Sequence, residues 1–127
     1  MNVDELREQQ AVIEWCGYYS GRYPELKAIY HIPNEGKRSV VNGSQLKAAG
    51  LKSGVPDLCL PCPRGGYAAL YIEMKKDEKA KVSPAQKEWL ERLSNLGNYV
   101  VVCRSATAAI SVIESYLKLP TPGGAKK

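Results

Sequence analysis

Three residues stand out by type and spacing: Asp57, which follows Pro56, and the acid and base of Glu73-Met74-Lys75. In extended backbone Glu73 and Lys75 point to one face and Met74 to the other. Gly65-Gly66 lies between the two acidic segments. A tight turn there lays the start of the first strand beside the end of the second, bringing Asp57 within about 5 Å of Glu73, one strand spacing. Carboxylates that close repel unless positive charge lies between them. Lys75 can offset part of that charge. A hard divalent cation does so better, taking carboxylate oxygens and a backbone carbonyl such as that of Met74. A Glu-x-Lys tripeptide alone means only a solvated strand face. Its place at the end of a strand whose partner opens with Pro-Asp gives it weight.

Glu5 is a possible third acid. Residues 4–20 read as a helix capped by Asn2 or Asp4. At about 100° per residue, Val12, Trp15, Cys16 and Tyr19 share one side. Leu6 and Ile13 lie at its edge, Glu14 is opposite, and Glu5 and Gln9 lie on its centre line. Glu5 is either a first-turn acid favoured by the helix dipole or a group aimed at the site. Gln9 either holds Glu5 in place or sits at the helix edge.

Further along, Leu26–Ile32 reads as a short strand and His31-Ile32-Pro33-Asn34-Glu35-Gly36 as a turn. A short helix follows over 44–50 with a Ser44 cap and a Gly50 stop. A loop from Gly54 runs into a strand through Leu60. Ala68–Lys75 is the clearest strand, with Leu70, Ile72 and Met74 opposite Tyr71, Glu73 and Lys75. Ser83-Pro84-Ala85-Gln86 is a capping box with proline at the first helical position. It opens a helix with Trp89, Leu90, Leu93 and Leu96 on one face, ending at Gly97. Tyr99–Cys103 reads as a buried strand. The last helix, 105–119, turns Ala109, Ile110, Ile113, Tyr116 and Leu117 inward. The order α-β-α-β-β-α-β-α is that of an α/β sandwich around a mixed sheet: a hairpin, then a helical crossover to the last strand.

The 127 residues make one domain, 1–119, with 120–127 expected as a disordered tail. No apolar run approaches the ~20 residues of a membrane span. The first residues lack the basic-then-apolar order of a secretion signal, so a cytoplasmic, intracellular protein is expected. Lys and Arg number 18 against 13 Asp and Glu, a charge of +5, which is compatible with a polyanionic partner. The cations gather in two runs: Lys37, Arg38, Lys47 and Lys52, then Lys75, Lys76, Lys79, Lys81 and Lys87. Cys59 and Cys62 form a CxxC, but Pro61 and Pro63 flank Cys62. Cys16, Cys103 and His31 offer no paired spacing for a zinc site, so buried, reduced thiols are the expectation.

The constellation resembles the PD-(D/E)xK nuclease superfamily. Within it, Glu5-x-x-x-Gln9 with Trp15, the run from His31 to Ser39, Lys52–Asp57, Tyr71–Lys75 and Ser83-Pro84-Ala85-Gln86-x-x-Trp89 resemble VRR-NUC (virus-type replication-repair nuclease) domains of the stand-alone phage and bacterial type. The likeness runs over roughly residues 5–117. It implies a restriction-endonuclease-like core and an Mg²⁺- or Mn²⁺-dependent endodeoxyribonuclease. Asp57, Glu73 and the Met74 carbonyl would hold the metal, with Glu5 a ligand directly or through water. Lys75 would orient the attacking water and offset phosphate charge. Gln86 would either work in the site or only complete its capping box. Asn34, Lys37, Arg38 and Lys52 would contact phosphates. The small members resemble homodimers acting on four-way DNA junctions, and two symmetric nicks suit a C2 dimer. Tyr18, Tyr23 and Tyr67, expected to be exposed, would belong to such an interface or to plain surface. A Holliday-junction resolvase is therefore the leading expectation. The alternatives are a flap, nicking or restriction-like nuclease, a non-catalytic junction-binding module, and a zinc-stabilised interaction protein.

Overall fold

The computed structural model describes residues 2–33 and 40–123, and the side chains of all of these except 40–43. Asn2 accepts the Glu5 N–H at 2.9 Å and starts helix α1, Val3–Tyr18. A 3-10 turn, Pro24–Ala28, leads to β1, Tyr30–His31. Helix α2 is Val40–Ala48, β2 Leu58–Leu60, β3 Leu70–Met74, α3 Pro84–Asn95, β4 Tyr99–Cys103 and α4 Ala106–Leu117. The sheet order is β1-β2-β3-β4, with the first three strands antiparallel and β4 parallel to β3. The expected mixed sheet flanked by helices is therefore present, in the expected element order.

The hairpin turn works through its glycines. Gly65 and Gly66 have φ of +57° and +86°, and Arg64 and Tyr67 bond each other's backbone across them at 3.2 and 2.8 Å. Two successive positive φ values make the tight turn that matches strand twist. Beyond it, Leu58 and Leu60 of β2 join Leu70, Ile72 and Met74 of β3 in one apolar cluster. Val12 and Cys16 of α1 and Ala109, Ile113 and Tyr116 of α4 complete it. Ile72 and Ile113, almost wholly enclosed, each stabilise the fold by about 1.5–3 kcal/mol relative to an exposed side chain. The other face of β3 carries Tyr71, Glu73 and Lys75, and α3 packs beside β4.

Several expectations are corrected. Leu26–Ile32 is not one strand: Pro24 fixes the backbone for a 3-10 turn that drives Leu26 into the core, leaving two strand residues. Helix α2 begins at Val40 rather than at a Ser44 cap, and it stops as expected before Gly50, whose φ is +114°. β4 is a half-buried edge strand, with only Cys103 buried, because one of its edges has no neighbour. On α3 only Leu93 is buried. Leu96 falls at the C-cap and is 71% exposed. Tyr19 at the end of α1 is 37% exposed. Tyr23 packs against the core, whereas Tyr18 and Tyr67 are exposed.

All four cysteines are buried. Cys62 joins the core cluster, whereas Cys59 lies between Tyr30 and Tyr71 in the strand register. The two thiols of the CxxC thus face different surroundings. The carbonyl of Pro120, the first residue of the expected tail, accepts the Gly65 N–H at 2.8 Å. Residues 124–127 lie outside the described residues. No helix among the described residues is long and apolar enough to cross a membrane.

Candidate active site

The register Leu58↔Ile72 sets Asp57, one residue before β2, beside Glu73 near the end of β3. The Asp57 N–H bonds the Ile72 carbonyl at 3.0 Å. Its carboxylate Oδ2 accepts the Met74 N–H at 2.7 Å, beyond the last pair of the ladder. Asp57 is thereby held at main chain and side chain by the strand that carries Glu73. The two buried carboxyl groups are close enough for each to perturb the other's ionisation.

Glu73 is 2% exposed. Its Oε2 accepts Gln86 Nε2 at 3.0 Å and lies 3.7 Å from Lys75 Nζ. Lys75, itself buried, donates to Gln86 Oε1 at 2.9 Å. That same Oε1 accepts the Ser83 N–H at 2.9 Å, while Ser83 Oγ accepts the Gln86 N–H at 3.1 Å. Gln86 therefore completes its capping box and reaches Glu73 and Lys75 with the same side chain. The capping box fixes the amide, and the amide bridges Glu73 to Lys75.

What brings α3 to the site is a close approach. Gly54, with φ +88°, lies against Ala85 so tightly that a Cβ would sit 2.7 Å from the Ala85 carbonyl carbon. Only glycine permits both that backbone and that contact. The Lys52–Asp57 segment is thus docked on the first turn of α3, one residue from Gln86.

Burial drives the electrostatics. The Glu73 carboxyl is pushed up to about 8, first by desolvation and then by the Asp57 charge, with Glu5 adding to it and Lys75 opposing. Asp57 is also raised, by burial above all, although the Met74 N–H bond pulls it back. The pair thus retains a proton near neutral pH when nothing else neutralises it.

Glu5 is half-buried on α1, near enough for its charge to raise both acids. No cluster of three His, Cys, Asp or Glu side chains that could hold a metal ion forms among the described residues. Gln9 is buried as expected for the centre of the inward stripe, but its Nε2 meets His31 Nδ1 at 3.2 Å rather than Glu5. His31 Nδ1 also lies 3.2 Å from the Asp57 carbonyl. His31 is thus a supporting residue that the sequence reading left unassigned, although it opens the motif ending at Ser39. Lys52 is exposed, at the rim of a surface groove lined by Ile32, Pro33 and Trp89. Asn34, Lys37 and Arg38 lie outside the described residues.

The donor set suits a hard cation. Oxygens predominate, and Glu73 Oε1 is buried with no hydrogen-bond partner, an orphaned acceptor that ordinarily costs free energy. Mg²⁺ is commonly held by one or two carboxylates and otherwise by water and substrate, so two acids suffice.

A mixed sheet presenting Asp57, Glu73 and Lys75 in this way defines a nuclease core of the PD-(D/E)xK type. The family model described as VRR-NUC domain matches residues 3–107. A solved structure of a protein described as a VRR_NUC domain protein is 34% identical and superposes with a TM-score of 0.81, covering 100% of this chain and 98% of that one. Another, described as a VRR_NUC domain, is 28% identical, with a TM-score of 0.55, covering 91% of this chain and 99% of that one. No curated protein matches. The chain belongs to the VRR-NUC family, a family of nucleases.

The double role of Gln86 is separable. Ser83→Ala is expected to cost about 1 kcal/mol of stability, as caps do, and to leave nuclease activity within a few-fold. Gln86→Ala is expected to lose a similar amount and in addition to lower activity about 10–100-fold, the usual effect of removing an outer partner of a ligand. Thermal melting and nicking assays on both variants check this.

Proposed function

We propose that the chain is an Mg²⁺- or Mn²⁺-dependent endonuclease that cuts branched DNA, with four-way junctions as its substrate and a C2 homodimer as its working form. The observation that carries this reading is the burial of Asp57 and Glu73 side by side at the end of the β2–β3 ladder, with Glu73 bridged through Gln86 to Lys75. A pure binder of phosphates has no use for two buried acids facing a polyanion.

In this reading Asp57, Glu73 and the Met74 carbonyl would hold the cation, with Glu5 a ligand directly or through water. When bound, the cation polarises the phosphoryl oxygen and acidifies water. Asp57, anchored by the Met74 N–H, fixes the ligand geometry. Glu73 is kept in one rotamer by Gln86. Lys75, oriented by the same amide, directs the attacking water and balances charge growing on the phosphate. Asn34, Lys37, Arg38 and Lys52 track the backbone and position it without reading sequence. Two active sites related by a two-fold axis place nicks symmetrically in opposed strands. Tyr18, 84% exposed on α1, is a candidate for the dimer contact.

The test is cleavage of synthetic four-way junctions, flaps, splayed arms and plain duplex at equal protein concentration, in Mg²⁺, Mn²⁺ or chelator, with nick mapping. Paired symmetric nicks on the junction, absent in chelator, are expected. Preference for flaps without paired nicks makes this a flap nuclease. Junction binding with no cutting in either metal makes it a binding module.

A further inference from the structure

Resting on the nuclease reading, we propose that the loop between β3 and α3, together with the first turn of α3, forms a preorganised rail for nucleic-acid phosphates flanking the scissile one, through Lys76, Lys79, Lys81 and Lys87.

All four lysines are exposed, and among the described residues none forms an ion pair. Two of them adjoin the site directly. Lys75 points into it and Lys76 out of it; Gln86 points in and Lys87 is exposed. Lys76 and Lys87 therefore stand at its rim, and Lys79 and Lys81 continue from Lys76 along the exposed loop.

The loop has little apolar burial to fix it, since residues 76–79 are all exposed. Polar bonds hold it instead. Asp77 Oδ1 accepts the N–H groups of Lys79 and Ala80, both at 2.9 Å. From the end of β4, Arg104 Nη1 donates to the carbonyls of Asp77 at 3.1 Å and Ala80 at 2.6 Å, and reaches that of Glu78 at 3.4 Å. The Lys75 N–H bonds the Cys103 carbonyl at 2.9 Å, so the residue before the bracing arginine is tied to the loop's root.

This bracing has an electrostatic consequence. The Asp77 carboxylate is turned back onto main-chain donors, and a guanidinium lies against the loop's carbonyls. Glu78 and Glu88 remain as opposing acids, so the segment is net positive without being a uniform field. Fixing the Cα positions of flexible lysines before binding reduces the ordering cost of each phosphate contact. A polyanion with regularly spaced charges is the ligand that rewards a row of fixed cations beside a phosphate-cleaving centre.

The test uses the full chain with Asp57→Asn, expected to bind without cutting, and fluorescence anisotropy of a labelled four-way junction across a range of NaCl, in chelator. Adding Lys79→Ala, Lys81→Ala and Lys87→Ala together is expected to weaken binding at least tenfold. It should also reduce the slope of log K against log salt by about 0.9 for each phosphate contact removed. Lys27→Ala with Lys118→Ala, exposed lysines away from the loop, is expected to leave affinity and slope within error. Unchanged affinity and slope in the triple variant, with its melting temperature preserved, overturns the rail alone. Failure of the chain with Asp57→Asn alone to bind the junction overturns the junction reading with it.

Discussion

Replacing Asp57 by asparagine is expected to slow metal-dependent strand cleavage by about a thousandfold or more, and to raise the melting temperature of the metal-free protein. The two effects have one origin. Asp57 and Glu73 are buried side by side, and burial pushes both carboxyls up, an arrangement that helps only when something neutralises it. Transition-state stabilisation by a bound cation amounts to several kcal/mol, and each 1.4 kcal/mol or so is a factor of ten in rate. Asparagine keeps an oxygen for the Met74 N–H, now bonded at 2.7 Å, and turns a donor toward Glu73 in place of a second anion. The fold therefore gains what the chemistry loses. At roughly 3–5 °C per kcal/mol for a domain of this size, the gain is readable by calorimetry in chelator. Alanine is the poorer test, since it orphans the Met74 N–H at a cost of about 1–3 kcal/mol. A purely structural Asp57 would lower stability and activity together. Wild-type cleavage by the asparagine variant removes the site assignment.

The parts of this protein that were legible in its sequence are those decided locally. Alternation from Leu70 to Lys75 separates core from site face because period two admits one arrangement once Leu70, Ile72 and Met74 are buried. Gly65-Gly66 can hardly be anything but a tight turn, and that turn lays β2 antiparallel to β3, the strands that carry Asp57 and Glu73 to one end. Ser83-Pro84-Ala85-Gln86 announces a helix start through its own capping bonds. What escaped depends on partners distant in the chain. Tyr99–Val102 is an apolar run equally consistent with a central or an edge strand, and the sheet order that makes it an edge is tertiary. His31 meets Gln9 and Asp57 across 22 and 26 residues, a separation no periodicity encodes. Gln86 was visible as a cap. That its amide also joins Glu73 to Lys75 depends on how α3 docks, which Gly54 decides by admitting the Ala85 backbone. In the Leu26–Ile32 segment the apolar pattern pointed to a strand, and Pro24 overrode it by fixing the local turn.

The buried acid pair also predicts how stability follows pH. Glu73 is raised from 4.5 to about 8, by burial first and then by Asp57, and Asp57 shifts in the same direction. Between those values the folded protein keeps a proton that the unfolded chain has released, so folding binds protons and stability falls as pH rises. The Glu73 contribution is fully present below about 4.5, is lost on passing about 8, and is flat above. The melting temperature in chelator is therefore expected to drop by several degrees between about pH 5 and pH 8 from this pair. A divalent cation competes for the same oxygens as the proton. Its binding releases the proton, and its stabilisation, which grows as RT ln(1 + [L]/Kd), must increase over the interval in which the metal-free protein weakens. The gap between melting curves recorded with Mn²⁺ and with chelator should thus widen toward pH 8. Glu73→Gln removes the proton and the ligand together, so it should flatten the metal-free profile and close the gap. A gap independent of pH, or one that survives Glu73→Gln, would mean that the cation binds elsewhere, and the carboxyl pair would then be a buried acid dimer rather than a metal site.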